Sequence, residues 1–97
     1  MSKLNVEGDV VIVTGGASGI GRAIAAKMAR EGACVAIADI KEQEGQKAAE
    51  ELTASTPGEV SFYKTDITDP ESDSELAEGV EAEFGAIDVL VNNAGVL

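Results

Sequence analysis

The sequence contains no histidine and no tryptophan, and its only cysteine is Cys34. Without histidine the chain lacks the most frequent general base and metal ligand, and Ser-His and Cys-His nucleophile pairs are excluded. A single cysteine excludes a disulfide within the chain and any multi-thiolate metal site. Because Cys34 stands among apolar neighbours, we expect a buried, unreactive thiol rather than a nucleophile.

Aromatic residues are scarce, at 3% of the chain, and apolar runs are short. The core must therefore be assembled mainly from Val, Ile, Leu and Ala side chains, of which alanine buries little area. No run approaches the roughly 20 apolar residues that a membrane-spanning helix needs, and the first residues lack the apolar stretch of a signal peptide. These features predict a cytoplasmic protein that does not insert into membranes.

Acidic residues outnumber basic ones, 18 to 7, which gives a formal net charge of -11. This charge repels phosphate backbones and anionic lipid surfaces, so we expect neither nucleic acid nor a membrane surface as a partner. With 97 residues, 44% of them hydrophobic, the chain has the composition of one small globular domain.

What is present is an alternation of short apolar runs and helical segments. Strands are predicted at 10–13, 35–38, 60–63 and 89–91, and the first, second and fourth are continuously apolar, as is typical of parallel strands covered on both faces. Helical periodicity fills the three gaps, with the second helix predicted over 41–53. This alternation favours a parallel sheet with right-handed crossovers.

The predicted helices carry boundary and packing patterns of their own. The predicted buried stripe of the first helix consists of Ile20, Ile24 and Met28. The third helix is predicted to begin at Asp69, a capping residue, followed by Pro70 at the first helical position. Thr68 and Glu71 are also spaced as a capping box.

The most economical architecture is α/β: a partial doubly wound (Rossmann) parallel sheet with strand order 3-2-1-4 and three crossover helices. We expect residues 1–97 to form one domain with this arrangement. The strand order reverses between strands 1 and 4, where open α/β sheets bind ligands.

A glycine-rich segment joins the first strand to the first helix. This glycine loop (residues 14–21) reads Thr14-Gly15-Gly16-Ala17-Ser18-Gly19-Ile20-Gly21. Glycines placed there let the backbone approach a pyrophosphate and direct the helix's free N–H groups and positive dipole end at the anion. The alternative is a tight turn in which glycine has a steric role only. A Walker loop is excluded, because Arg22 and Ala23 follow in place of Lys and Ser/Thr.

Asp39 ends the second strand, about 20 residues after the glycines, where a carboxylate can accept hydrogen bonds from an adenosine ribose. The same carboxylate would repel a 2′-phosphate, by about 4 kcal/mol for two unit charges about 4 Å apart at an effective dielectric near 20, and by less when exposed. NAD is therefore predicted over NADP, and Ile40 offers no positive partner beside Asp39. Taken alone, such an aspartate is more often a turn residue or helix cap.

The glycine loop, with three residues between Gly15 and Gly19, resembles the T-G-x-x-x-G-I-G signature of the short-chain dehydrogenase/reductase family. Asn92-Asn93-Ala94-Gly95 after the fourth strand resembles the family's N-N-A-G element, and Asp66-Ile67 after the third strand resembles its adenine-contacting pair. The resemblance implies an oxidoreductase that, when complete, transfers hydride between NAD(H) and an alcohol/carbonyl pair. It implies cofactor contacts from Gly15, Ser18, Gly19, Ile20, Gly21, Asp39, Asp66, Ile67 and Asn93, with Asn92 chiefly bridging the sheet.

The resemblance runs from about residue 8 to residue 97, and the sequence lacks the Ser and the Tyr-x-x-x-Lys on which that family's chemistry relies. Tyr63 is the only tyrosine, and Ile67 stands four residues after it. We therefore predict no catalytic residue in this chain. The resemblance implies that residues 1–97 are one partial dinucleotide-binding (Rossmann) domain, truncated after the fourth strand, from the N-terminal portion of a longer enzyme. The alternatives are a stand-alone or excised module that binds an adenine nucleotide without catalysis, and an S-adenosylmethionine-binding methyltransferase fragment, against which the intact motifs argue. An uncovered fourth strand would invite self-association.

Overall fold

The computed structural model describes residues 5–93, in which strands and helices alternate. In chain order the elements are β1 (Val10–Thr14), α1 (Gly19–Arg30), β2 (Cys34–Asp39), α2 (Glu42–Ser55), β3 (Glu59–Lys64), α3 (Pro70–Phe84) and β4 (Val89–Asn92). The strands are all parallel, in the order β3-β2-β1-β4. The predicted fold class, strand order and three crossovers are confirmed. None of the helices within residues 5–93 has the length and apolar character required to cross a membrane.

Different helices cover the two faces of the sheet. One face carries the larger core, over which α1 and α2 pack mainly through alanine and glycine. The other face carries a smaller cluster beneath α3, whose buried members are Val10, Ile12, Ala36, Ala38, Leu76 and Val80. Both clusters are almost entirely aliphatic, as the scarcity of aromatic residues predicts.

The buried stripe predicted for α1 is wrong at its first position. Ile20 is 73% exposed, and Ile24 and Met28 are only partly buried at the margin of the core. The buried residues of the helix are Gly21, Ala25, Ala26 and Ala29. Small side chains let the helix backbone approach the sheet closely, so the alanine face docks and Ile20 is left beside the glycine loop.

The start of α3 confirms one predicted cap and corrects another. Asp69 Oδ1 accepts a hydrogen bond from the backbone N–H of Glu71 at 3.0 Å, and Pro70 occupies the first turn. The predicted Thr68–Glu71 capping box does not form, because the Thr68 hydroxyl donates to Asp66 Oδ1 at 2.6 Å. The nearer carboxylate competes successfully for this hydroxyl, so Asp69 alone caps the helix.

A carboxylate on α3 ties that helix to β3. Glu83 accepts hydrogen bonds from the Ser61 hydroxyl at 2.6 Å and from the Tyr63 hydroxyl. Burial, the hydrogen bond to Glu83 and the Glu83 charge together raise the pKa of Tyr63 above its ordinary value. Burial, with the charges of Glu59 and Glu83, also raises the pKa of the partly buried Cys34 thiol, which favours its unreactive protonated form.

In the described part of the chain, β4 forms an edge of the sheet and pairs with β1 alone. Val89 and Val91 pack against the larger core, whereas Leu90 is 62% exposed. The coverage of both faces predicted from the apolar sequence of this strand is therefore absent within residues 5–93. α3 packs over β1 and β2 instead, and leaves a groove of about 420 Å³ that Leu76 and Leu90 help to line.

Candidate functional site

The glycine loop follows β1 at the carboxyl end of the sheet, and two of its glycines adopt a left-handed backbone. Gly15 has a φ of +66° and Gly19 a φ of +59°, a region that side chains with a Cβ disfavour. A Cβ on Gly19 would have no atom within 4 Å, so the backbone angle, and not crowding within the chain, favours glycine there. The space outside Gly19 is open to a ligand.

Gly21 is required for a different reason, the close contact between the first turn of α1 and the loop. A Cβ at this position would lie 2.0 Å from the carbonyl oxygen of Gly15 and 2.8 Å from Asn93 Nδ2. No side chain can be accommodated there without moving backbone. The glycine therefore allows α1 to begin directly against the end of β1.

The N-terminus of α1 presents backbone donors at the surface. Ser18 is the N-cap residue, its backbone is extended, and its side chain makes no capping hydrogen bond. The first turn contains no acidic residue, so no carboxylate of the helix itself occupies the positive end of the dipole. Ser18, Gly19 and Ile20 are all exposed there. This geometry suits an anion held by N–H groups.

Asp39 connects the end of β2 to the glycine loop. Its Oδ2 accepts a hydrogen bond from the backbone N–H of Ala17 at 3.1 Å, and its Oδ1 accepts from the backbone N–H of Lys41 at 3.0 Å. The backbone carbonyl of Asp39 accepts from the N–H of Thr65 after β3. Each carboxylate oxygen keeps one lone pair for a ligand hydroxyl.

A pocket of about 130 Å³ lies beside this carboxylate, at the carboxyl ends of β2 and β3. It is lined by Gly15, Ala38, Asp39, Ile40, Thr65, Asp66 and Ile67. Four residues predicted from the sequence to contact a cofactor (Gly15, Asp39, Asp66 and Ile67) thus share one pocket, although the chain separates them by as many as 52 positions. Two larger concavities on the described surface are lined by none of the loop's glycines, although Thr14 and Ile67 line one of them.

Asp66 is exposed and is held in a fixed orientation by the residues that follow it. Its Oδ1 accepts hydrogen bonds from both the hydroxyl and the backbone N–H of Thr68, at 2.6 and 3.0 Å. These two bonds lower the pKa of the Asp66 carboxyl, so it is ionised and acts only as an acceptor at neutral pH. Asp66 is exposed, and its Oδ2 accepts no hydrogen bond from the described residues, so this oxygen can accept from an amine donor of a ligand.

Thr14 joins the ends of β1 and β4. Its hydroxyl lies 3.1 Å from Asn92 Oδ1, to which it can donate, and it accepts from the backbone N–H of Asn93 at 2.9 Å. Asn93 Nδ2 also lies 3.4 Å from the carbonyl oxygen of Gly15. Asn92 therefore bridges the strands, as predicted, but Asn93 shares that structural role. Ala94 and Gly95 of the predicted N-N-A-G element lie outside the described residues.

Taken together, these contacts fit one half of a dinucleotide. The open N-terminus of α1 suits a diphosphate, the Asp39 carboxylate suits a ribose diol, and the pocket between Ile40 and Ile67 offers apolar side chains to a purine ring. The Asp39 and Asp66 carboxylates are already oriented by hydrogen bonds within the protein.

Three contributors were not predicted from the sequence: Ala17, Lys41 and Thr65. Ala17 acts through its backbone N–H, which no side-chain pattern reveals. Thr65 is a buried polar residue that lines the pocket, and its position directly before Asp66-Ile67 was the available indication. The Lys41 ammonium lies 3.3 Å from Ser18 Oγ, a contact across 23 residues that only the fold brings together.

Comparison with known proteins identifies the family. The model of the short chain dehydrogenase family matches residues 9–97. This chain belongs to the short-chain dehydrogenase family. The match spans β1 to the end of the chain, so these residues correspond to the family's nicotinamide-cofactor-binding portion, as the sequence analysis predicted.

Individual relatives agree with the family assignment. A short chain dehydrogenase/reductase of Macrophomina phaseolina is 40% identical over 93 residues, covering 96% of this chain and 53% of the relative. A 3-oxoacyl-[acyl-carrier-protein] reductase of Thermotoga maritima is 41% identical over 93 residues, covering 96% of this chain and 37% of that protein. The chain therefore spans between about a third and a half of the length of these short-chain dehydrogenases.

Solved structures agree with the fold. L-sorbose reductase from Gluconobacter frateurii, determined in complex with NADPH and L-sorbose, superposes with a TM-score of 0.90 at 36% identity, over 95% of this chain and 35% of the other. A hydroxysteroid dehydrogenase from Escherichia coli gives a TM-score of 0.89 at 34% identity, over 95% of this chain and 39% of the other. The parallel sheet of this chain and its covering helices thus have the same arrangement in both of these structures.

Proposed function

We propose that this chain holds the adenosine diphosphate half of NAD(H) for an NAD-dependent oxidoreductase. The observation that carries the proposal is the position of Asp39, whose carboxylate is fixed between the glycine loop and the pocket at the ends of β2 and β3. An aspartate there accepts hydrogen bonds from the 2′- and 3′-hydroxyls of a ribose and disfavours a 2′-phosphate.

Each predicted site residue takes one part of the nucleotide in this proposal. The diphosphate is received by the glycine loop and the first turn of α1, through Gly15, Ser18, Gly19, Ile20 and Gly21. Asp39 binds the adenosine ribose, Asp66 accepts from the adenine amine and Ile67 packs against the ring. Asn93, close to the carbonyl of Gly15, contacts the nucleotide from the β4 side.

Titration with NAD, followed by backbone amide resonances, tests this arrangement. We expect shifts concentrated in the glycine loop and at Asp39, Asp66 and Ile67, and none at the C-terminal ends of α2 and α3. Because the described residues reach only the adenosine half of the ligand, we expect a dissociation constant near 1 mM, equivalent to about -4 kcal/mol. Shifts that avoid the glycine loop would contradict the proposal.

We further propose that residues 1–97 form one partial domain of a complete enzyme that transfers hydride between nicotinamide and an alcohol/carbonyl pair. The bound cofactor supplies the hydride donor or acceptor. The residues of this chain orient the cofactor, and the catalytic Tyr-x-x-x-Lys of the family is absent from the printed sequence. The names of the relatives, all oxidoreductases in the comparisons above, support this reading over a binding module without catalysis. Sequencing the coding region past Leu97 tests it, because an in-frame Tyr-x-x-x-Lys is expected there.

Self-association through β4 is part of the proposal for the isolated chain. Within residues 5–93 the outer edge of β4 has no strand partner, and Leu90 is exposed beside it. An unprotected parallel edge can accept a strand from another copy. A concentration-dependent sedimentation coefficient would be the direct observation.

A cytoplasmic location is proposed as well, in keeping with a sequence whose single cysteine can form no internal disulfide and with a nicotinamide dinucleotide as the ligand. Fractionation of cells that express the tagged chain tests it, and recovery with the membrane pellet after a high-salt wash would contradict it.

A further inference from the structure

We propose that Lys41 sets how strongly this site discriminates against an adenosine that carries a 2′-phosphate. Lys41 would act as a cation that partly offsets Asp39, so that the site prefers a 2′-hydroxyl without excluding a 2′-phosphate. The inference rests on the proposed function, because it concerns the ribose end of the same pocket.

The position of Lys41 follows from two contacts. Its backbone N–H donates to Asp39 Oδ1 at 3.0 Å, while its side chain extends to the glycine loop, where Nζ lies 3.3 Å from Ser18 Oγ. The other Asp39 oxygen is bonded to the N–H of Ala17 in the same loop. Lys41 therefore joins the two sides of the site: its backbone N–H binds the residue that would hold the ribose, and its ammonium group reaches the glycine loop at Ser18.

The charge of Lys41 is not neutralised by a carboxylate within the described residues. The ion pairs there join Arg22 to Glu51, Lys27 to Glu31, and Lys64 to Glu42. Lys41 Nζ has the neutral Ser18 hydroxyl as its hydrogen-bond partner instead, and Asp39 is not within ion-pair distance. In a chain with a net charge of -11, this cation lies against the glycine loop at Ser18, and Lys41 follows two positions after Asp39, which lines the nucleotide pocket.

A phosphate oxygen is a stronger acceptor for an ammonium group than a serine hydroxyl is. Lys41 and Ser18 are both exposed, so the side chain can turn from the hydroxyl to a ligand without leaving a buried group unsatisfied. A 2′-phosphate on a ribose at Asp39 would be repelled by that carboxylate and attracted by Lys41. The two effects oppose each other, and the preference for the 2′-hydroxyl becomes modest.

Two adenosine nucleotides that differ only in the 2′-phosphate test the inference: adenosine 5′-monophosphate and adenosine 2′,5′-bisphosphate. Dissociation constants are measured by amide resonance titration for the wild type, Lys41→Gln, Lys41→Arg and the control Lys47→Gln. Lys47 lies on the exposed side of α2, so its replacement makes the same change in net charge away from the pocket. The backbone bond from residue 41 to Asp39 is kept in every variant.

For Lys41→Gln we expect binding of the bisphosphate to weaken about fivefold and binding of the monophosphate to change by less than about twofold. Lys41→Arg should retain bisphosphate binding, and Lys47→Gln should leave both ligands unchanged. Added salt should reduce the difference between wild type and Lys41→Gln, because exposed charges are screened.

Bisphosphate binding that is equal in wild type and Lys41→Gln, or an equal loss for both nucleotides, would overturn the role of Lys41 while leaving the proposed function intact. A wild type that binds neither nucleotide nor NAD would overturn both proposals. Binding of the monophosphate to the wild type distinguishes the two outcomes, because it shows that the nucleotide site exists whatever the role of Lys41.

Discussion

The carboxylate of Asp39 accepts a hydrogen bond from the backbone N–H of Ala17 at 3.1 Å, and thereby links the end of β2 to the glycine loop after β1. One side chain thus has two tasks, to hold the loop and to face the proposed ribose. The two tasks can be separated by substitution, because the first needs an acceptor and the second depends on negative charge.

Asp39→Asn should reduce the preference for NAD over NADP about tenfold, because the variant removes the charge that repels a 2′-phosphate. It keeps one oxygen acceptor for Ala17, while its NH2 group can no longer accept from the N–H of Lys41. Asp39→Ala should reduce the preference similarly and also lower the free energy of unfolding by about 1 kcal/mol, since the loop loses its hydrogen bond. Dissociation constants for both cofactors and urea unfolding measure the two effects. If the ratio of the NADP and NAD dissociation constants stays unchanged in both variants, Asp39 does not contact the ribose.

Gly21→Ala should lower the free energy of unfolding by about 3 kcal/mol, because its Cβ would lie 2.0 Å from the carbonyl oxygen of Gly15. Gly19→Ala is the matched control in the same loop. Its Cβ meets no atom within 4 Å and only the positive φ is unfavourable, so a loss of about 1 kcal/mol is expected. Chemical denaturation measures the free energy of unfolding of the two variants. A smaller loss for Gly21→Ala than for Gly19→Ala would show that the loop can separate from α1.

Tyr63→Phe should change how stability depends on alkaline pH. The pKa of Tyr63 is raised in the folded protein from its ordinary value of 10.0, by burial first and then by Glu83. A raised pKa means that the folded state holds this proton more tightly, so the stabilisation is complete below pH 10.0 and is lost as the pH rises toward the folded pKa. The wild type should therefore lose stability above that pH more steeply than Tyr63→Phe.

Ser61→Ala provides the control for this pH dependence. It removes the other hydroxyl that donates to Glu83, at a cost of about 1 kcal/mol, but leaves the titrating phenol in place. Its alkaline profile should run parallel to that of the wild type. If the free energy of unfolding depends on pH identically in the wild type and Tyr63→Phe, from neutral to strongly alkaline pH, the pKa of Tyr63 is not raised by folding.

Leu90→Lys should weaken self-association of the isolated chain, because it places a charge on the exposed face of β4. Ala82→Lys, at an exposed position of α3, makes the same change in net charge away from the edge and should leave association unchanged. Sedimentation velocity over a range of concentrations measures the difference. A monomeric wild type at high concentration, or an equal effect of both substitutions, would count against association through β4.

Much of the fold could be predicted from the sequence because its determinants are local. The continuous apolar runs of β1 and β2 and the cap at Asp69 depend on residues a few positions apart. The alternation of elements predicts a parallel sheet with right-handed crossovers, and the strand order 3-2-1-4 is its most economical doubly wound arrangement. The buried face of α1 could not be predicted in the same way, since Ile20 is more apolar than Ala25 and only the approach of the helix to the sheet decides which is buried.

The sequence by itself determined the glycine loop, the acidic end of β2 and the family to which both belong, because these are patterns of residue type at fixed spacing. Only the tertiary structure brought Asp39 to the N–H of Ala17, Lys41 to Ser18, and Thr14 to Asn93. Those contacts join segments as many as 79 residues apart. They depend on where parallel strands end beside one another in the folded sheet, which no local pattern specifies.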